Sequence, residues 1–328
     1  MPNAYIAGTG FFVPQKVITN NDLSKYMNTT DDWIIDRTGI KERRYVEKGI
    51  GPSDLAIPAT KQALKASGLS IKDIEFIIFA TSTPDYYIPG SGCLLQEKMG
   101  FNEIGALDIR VQCSGFVYGL SIAEQYIKAG SFNNILLIGA EVQSTAMDLS
   151  DNGRDTAIIF GDGAGAAIIR STSEEKGILS THLHTEGKFL KELWVESPAS
   201  NEGNPRILPK HLEEGKQYLK MNGREVFRHA IVRFVEVIYE CLDANNLQVE
   251  DIDLLIPHQA NLRITQMIQK KLGLRNNQVY SNIHKYGNTT AASIPIALAE
   301  AINEGKISKG DRVVFASFGS GFTWASAI

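Results

Sequence analysis

The stretch NLQVEDIDLLIPHQA, residues 246–260, decides the reading of the fold, because GLSIKDIEFIIFATS at 68–82 has the same plan 178 residues earlier. Each is an acidic turn followed by a short, continuous apolar run. A run of that kind is a strand covered on both faces. The similarity continues downstream. Residues 98–141 and 271–319 both run Leu/Met-Gly, strand, small-residue turn, helix, Gly, strand. Two related segments of this length imply a duplicated α/β unit, since solenoids repeat at shorter periods. Further strand candidates are NNILLIGAE (133–141), AAIIRS (166–171) and RVVFASFG (312–319), and MPNAYIAGTGFFVPQ reads as a first strand in place of a signal peptide. Helical patterns lie between them, as in DLAIPATKQALKAS (54–67) and GLSIAEQYIKAG (119–130). The halves divide at 1–172 and 173–328. The polar, Pro- and Gly-containing stretch 186–216 reads as a surface excursion between them.

Composition narrows the function classes. The 328 residues are 43% hydrophobic, enough for a large core, and the formal charge of −4 argues against nucleic-acid binding. No apolar run reaches the ~20 residues that cross a bilayer. Cys93, Cys113 and Cys241 are few, odd in number and without metal-type spacing. A reducing cytoplasm is the expected location, with neither a disulfide framework nor a metal site.

Several motifs sit where the duplication would gather them, at strand ends and helix starts. In VQCSGFVYGL (111–120), Cys113 stands before an apolar helix, where free N–H groups and the helix dipole favour a thiolate. Alone, it reads equally as a small buried hydrophobe. In PHQANLRI (257–264), His258 ends a strand and is either a donor or base, or a satisfied structural histidine. Asn288, in HKYGNTTAASIP (284–295), lies at the second-half turn matching that of Cys113, where helix capping would also account for it. ASFGSGFTW (316–324) carries a Gly-Ser-Gly turn able to aim backbone N–H groups into a cleft. IFGDGAGAAII (159–169) lacks the Lys-Ser/Thr of a phosphate loop, so its glycines predict close backbone packing. His182, His184, His211, His229 and His284 are expected to be structural or solvated.

These motifs, with TTDDWIIDRTGIKERR (29–44), occur in one order along nearly the whole chain, and together they resemble β-ketoacyl-acyl-carrier-protein synthase III of the thiolase superfamily. The resemblance implies a duplicated five-layer α-β-α-β-α sandwich, a homodimer and a decarboxylating Claisen condensation that needs neither metal nor cofactor. Cys113 would carry an acyl group taken from acyl-CoA. His258 and Asn288 would stabilise the enolate of malonyl-acyl-carrier protein, and the backbone N–H groups of Cys113 and Ser320 would hold the tetrahedral oxyanion. Many relatives have Gly where Ser320 stands, but a backbone donor does not depend on its side chain. By the same resemblance Trp33, Arg37 and Arg154 contact CoA, and Arg263, Lys270 and Lys271 meet the carrier protein. Asn261 supports the site, and Ile88 and Phe318 border the acyl pocket.

The chain also departs from the family pattern at Ile88, Val111, Gln112 and Arg224. Ile88 replaces a Phe on a loop that reaches the partner's pocket, leaving room for a longer or branched starter than acetyl. Val111 and Gln112 stand where relatives have Ala-Ala, and Arg224 where some have Asn. The rival expectation is a specialised synthase of secondary metabolism joining longer acyl or β-ketoacyl units.

Overall fold

The computed structural model describes residues 1–328. The first half supplies β1 (Asn3–Phe12), α1 (Asp31–Thr38), α2 (Pro52–Ser67), β2 (Phe76–Ala80), α3 (Ser91–Met99), β3 (Gly105–Ile109), α4 (Gly115–Lys128), β4 (Asn134–Glu141) and β5 (Gly163–Thr172). The second supplies β6 (Thr181–Thr185), α5 (Gly223–Ala244), β7 (Leu254–Pro257), α6 (Leu262–Leu272), α7 (Ser293–Asn303), β8 (Val313–Gly319) and β9 (Thr323–Ala327).

The two sheets have one topology. In the first, the order is β1-β5-β4-β2-β3, with β5 antiparallel to both neighbours and β2 parallel to β3 and β4. In the second, β6-β9-β8-β7 repeats that order, and a single parallel bridge from Leu255 to Val279 stands where β3 would be. Along β2, alternate side chains face opposite layers. Ile78 joins the inner core with Phe116, Leu120 and Ile294, while Ile77 and Phe79 join the outer core with Leu55 and Ala59 of α2. A third core packs Phe234 and Ile238 of α5 and Ile264 and Ile268 of α6 beneath Val314 and Phe318. The layers therefore run α2/α3, sheet, α4/α7, sheet, α5/α6. Each fully buried Ile, Leu or Phe contributes on the order of 2 kcal/mol of transfer free energy, which favours covering both sheet faces. No helix is long and apolar enough to cross a membrane.

Three expectations are settled by this arrangement. The glycines of 159–169 do serve close packing: a Cβ on Gly165 would lie 2.6 Å from Pro295 Cβ and 2.7 Å from the Ile296 nitrogen. The 186–216 stretch does not lie between the halves. It follows β6, an edge strand of the second sheet, and its Leu190, Leu193, Trp194 and Val195 roof a cavity at Cys113. Its apolar residues lack strand or helix periodicity, so composition alone read as solvent-facing. Finally, the counterpart of Cys113 is Ala291 and not Asn288. Gln112–Ser114 and Thr290–Ala292 are matching 3-10 turns before α4 and α7, each opening on a left-handed residue, Gln112 at φ 45° and Thr290 at φ 50°. Asn288 lies three residues upstream of Ala291, an offset that small-residue turns do not reveal in sequence.

Candidate active site

Cys113 enters α4 from its 3-10 turn, and β8 delivers Gly319 against it. A Cβ on Gly319 would sit 2.6 Å from Cys113 Cβ and 3.0 Å from its Sγ, so only glycine fits there. The backbone N–H groups of Cys113 and Ser320 both approach the sulfur and favour its charged form. They do not prevail. Burial, helped by the charge of Glu141, pushes the thiol up to about 12. The expected resting thiolate is therefore corrected: desolvation of a sulfur this enclosed exceeds what a helix start and two N–H groups return. The Ser320 hydroxyl donates to the Leu193 carbonyl, which ties the roof to the turn after β8.

His258 leaves the carboxyl end of β7 and is buried. Its Nδ1 lies 2.6 Å from Ser293 Oγ, and Ser293 Oγ also accepts the Gln259 N–H at 3.4 Å. Nδ1 is the one acceptor the serine hydroxyl has, so it takes the serine hydrogen and the ring proton belongs on Nε2. Nε2 is buried without a protein partner. Burial pushes the imidazole down to about 3, so it is neutral in the ordinary pH range. Asn288 precedes α7, and its Oδ1 accepts the Thr290 N–H at 2.8 Å, which leaves the Nδ2 hydrogens as its donors.

Cys113, His258, Asn288 and Phe318 line one cavity of about 140 Å³ whose remaining wall is mainly apolar, with Met221, Phe227 and Ile264. Cys113 also lines a second, larger cavity of about 800 Å³, reaching Ser82, Gln143, Gln217 and the roof. One sulfur thus faces two spaces, and the two unsatisfied side-chain donors occupy only one of them. A nucleophile, paired backbone N–H groups and two neutral donors in an enclosed space suit acyl transfer, with the developing charge on an oxygen.

The other candidate residues fall into separate places. Asn261 borders the smaller cavity, caps α6 through the Arg263 N–H at 2.9 Å and donates to the Arg37 carbonyl at 2.9 Å, so it fastens α6 to the end of α1. Trp33 is flanked by two guanidinium groups, with Arg37 at 4.3 Å and Arg154 at 4.7 Å from its ring centre. Arg263, Lys270 and Lys271 are exposed on α6, and Arg263 lies over Phe227 at 5.7 Å. Ile88 is 80% exposed on the loop after β2 and lines neither cavity of its own chain. Sequence reading missed Ser293, which orients His258, and Glu141, which is buried beside the site. Ser293 stands inside a motif already singled out. Glu141 ends an apolar strand, where an acid ordinarily reads as the solvated edge.

Comparison with known proteins identifies the family and the fold. Family models for 3-oxoacyl-[acyl-carrier-protein] synthase III match residues 107–187, and those for its C-terminal part match 242–328. The β-ketoacyl-[acyl-carrier-protein] synthase III of Caldanaerobacter subterraneus subsp. tengcongensis is 44% identical over 99% of this chain and 97% of its own length. That of Methylococcus capsulatus is 42% identical over 98% and 97%. The crystal structure of 3-oxoacyl-[acyl-carrier-protein] synthase III from Aquifex aeolicus superposes with a TM-score of 0.91 at 40% identity, covering 99% of this chain and 98% of that one. With its duplicated sheets, its layered sandwich and its buried Cys, His and Asn at the strand ends and turns, the chain belongs to the β-ketoacyl-acyl-carrier-protein synthase III family of condensing enzymes, which has the thiolase fold.

Proposed function

We propose that the protein joins an acyl-CoA starter to malonyl-acyl-carrier protein, releasing CO2 and initiating fatty acid synthesis. The observation that carries this reading is the single cavity shared by Cys113, His258 and Asn288, with His258 Nε2 lacking any protein partner. First, Cys113 Sγ attacks the thioester carbonyl, and the N–H groups of Cys113 and Ser320 hold the tetrahedral oxyanion. The C–S bond to CoA breaks, and the thiol proton leaves with the CoA sulfur, whose affinity for it is that of an ordinary thiol. Malonyl-acyl-carrier protein then takes the place of CoA. The bond to its carboxylate breaks, and the electron pair moves onto the thioester oxygen, held by His258 Nε2–H and Asn288 Nδ2–H. The enolate carbon attacks the acyl-Cys113 carbonyl and expels the thiolate of Cys113. Charge develops on one oxygen at a time, so N–H donors suffice and neither metal nor cofactor is required. Mixing the purified enzyme with acetyl-CoA and malonyl-acyl-carrier protein is expected to yield acetoacetyl-acyl-carrier protein. Failure with acetyl-CoA and with longer and branched acyl-CoAs alike would overturn the reading.

The starter chain extends into the larger cavity, whose volume supports starters longer than acetyl. Exposed Tyr86, Tyr87 and Ile88 are the surface through which a second subunit would cover that space. The free thiols Cys93, Cys113 and Cys241 support a cytoplasmic location. CoA binds at Trp33, where its adenine enters between the ring and the Arg154 guanidinium, so that Arg154 stacks on the adenine in place of the indole. Arg154→Ala is expected to raise KM for acyl-CoA about five- to tenfold with kcat little changed, as loss of a cation–π contact predicts. Steady-state kinetics check this; a fall in kcat alone would contradict it. The acidic carrier protein docks on Arg263, Lys270 and Lys271. Reversing the charge with Arg263→Glu should raise KM for malonyl-acyl-carrier protein about tenfold at low salt, with the difference shrinking as salt is added.

A further inference from the structure

Glu141, the last residue of β4, is fully buried, and no step above uses it. It faces donors instead of a cation. Its carboxylate accepts the Ser82 N–H at 3.1 Å, the Ser82 hydroxyl at 2.9 Å, the Thr83 hydroxyl at 2.7 Å and a Gln143 Nε2 hydrogen at 3.4 Å, and the backbone N–H of Ala291 approaches it and favours its charged form. An amide here would turn its NH2 against some of these donors, whereas a carboxylate satisfies them all. Ala291 belongs to the second half. Gly139, two residues before Glu141, makes that contact possible: a Cβ there would lie 2.3 Å from the Ala291 carbonyl oxygen.

The contact leads to Asn288. Thr290, directly before Ala291, holds φ 50°, which a β-branched residue adopts only under constraint. Its hydroxyl accepts from Gln143 Nε2 at 2.9 Å, and Gln143 Nε2 also reaches Ser82 Oγ at 3.2 Å. The Thr290 N–H in turn holds Asn288 Oδ1 at 2.8 Å. On its other side the Ala291 turn packs against the start of α4, with Ala291 Cβ 3.3 Å from the place a Gly115 Cβ would take.

We propose that Glu141 is a positioning residue for the decarboxylating half-reaction: through Gln143 and the Ala291 turn it fixes Thr290, and through Thr290 it orients the donor end of Asn288. This rests on the functional reading above. Burial pushes Glu141 itself up to about 7, and its charge is the second cause, after burial, of the raised Cys113 thiol. The other titratable groups nearby are engaged elsewhere. Asp162, before β5, accepts from Val46 and Ser144, and Asp85, beyond Thr83, accepts from Ser53. His258 is neutral, with burial as the sole cause.

The test compares wild type, Glu141→Gln and Gln143→Met in three assays: thermal unfolding, acyl-enzyme formation, and CO2 release from malonyl-acyl-carrier protein. In Glu141→Gln the two half-reactions should separate: CO2 release should fall about tenfold or more while acyl-enzyme formation stays within about threefold. Gln143→Met should lose CO2 release in the same selective way. Unchanged CO2 release in Glu141→Gln, or equal loss of both half-reactions with a lowered Tm, overturns the inference. If Glu141→Gln does not fold, unchanged CO2 release in Gln143→Met overturns it. If wild type forms no acyl-enzyme, the functional reading fails, while CO2 release in the two variants still reports the positioning of Asn288.

Discussion

Cys113→Ser is expected to abolish condensation to within a residual of about one part in 10³ or less, because the step that stores the starter is lost. The alcohol would have the same N–H neighbours as the sulfur. It would sit in the same enclosed space, where burial already pushes a thiol up to about 12. A serine hydroxyl is far less acidic, so its proton would have to leave at much greater cost. In the proposed scheme His258 and Asn288, and not Cys113, hold the oxygen on which charge develops in decarboxylation, so CO2 release should survive in Cys113→Ser to within about tenfold. Assaying condensation and CO2 release on the same preparation checks both statements. Parallel loss of the two would mean that the cavity had collapsed and would contradict the assigned roles.

The second large effect belongs to His258. Removing one preorganised donor to a developing oxyanion costs about 10²- to 10³-fold. His258→Ala should therefore lower CO2 release by that factor, while acylation of Cys113 changes by only a few-fold. Asn288→Ala should behave alike. The double variant should lose less than the product of the single losses, since the donors share one oxygen. Because the His258 imidazole is held neutral down to about 3 by burial, decarboxylation should show no titration of this ring between pH 5 and 8. A rate of CO2 release that rises as pH falls through about 6.5 would identify an imidazolium donor and contradict the tautomer drawn from Ser293.

The duplication was legible in the chain because both copies keep the same apolar strand and acidic turn, at 68–82 and 246–260. Burial on two faces forces continuous apolar runs, and those survive divergence well. Cys113, His258 and Asn288 could be picked out because each follows a strand or opens a helix. What stayed hidden depends on contacts between residues far apart in sequence. Glu141 meets Ser82 across 59 positions and Ala291 in the other half, so nothing local marks it as buried. The Cys113 environment was misjudged because a helix start is visible in sequence and the desolvation around the sulfur is not. The roof at 186–216 was read as solvent-facing because Leu190, Leu193 and Trp194 are spaced to suit a cavity wall and not a regular element. Trp33 and Arg154 stand about 120 residues apart in sequence, and only the fold stacks them. The expectation of a specialised synthase of secondary metabolism is not favoured by relatives at 42–44% identity, which are β-ketoacyl-[acyl-carrier-protein] synthases III.

The central claim is that Cys113 carries the starter, and intact-mass analysis after exposure to acyl-CoAs of graded length and branching tests it most directly. Wild type should gain the mass of one acyl group, and the acyl-CoAs that load it will report the starter. Cys113→Ala should gain nothing from any of them. An acyl adduct of the same mass on Cys113→Ala would contradict the account.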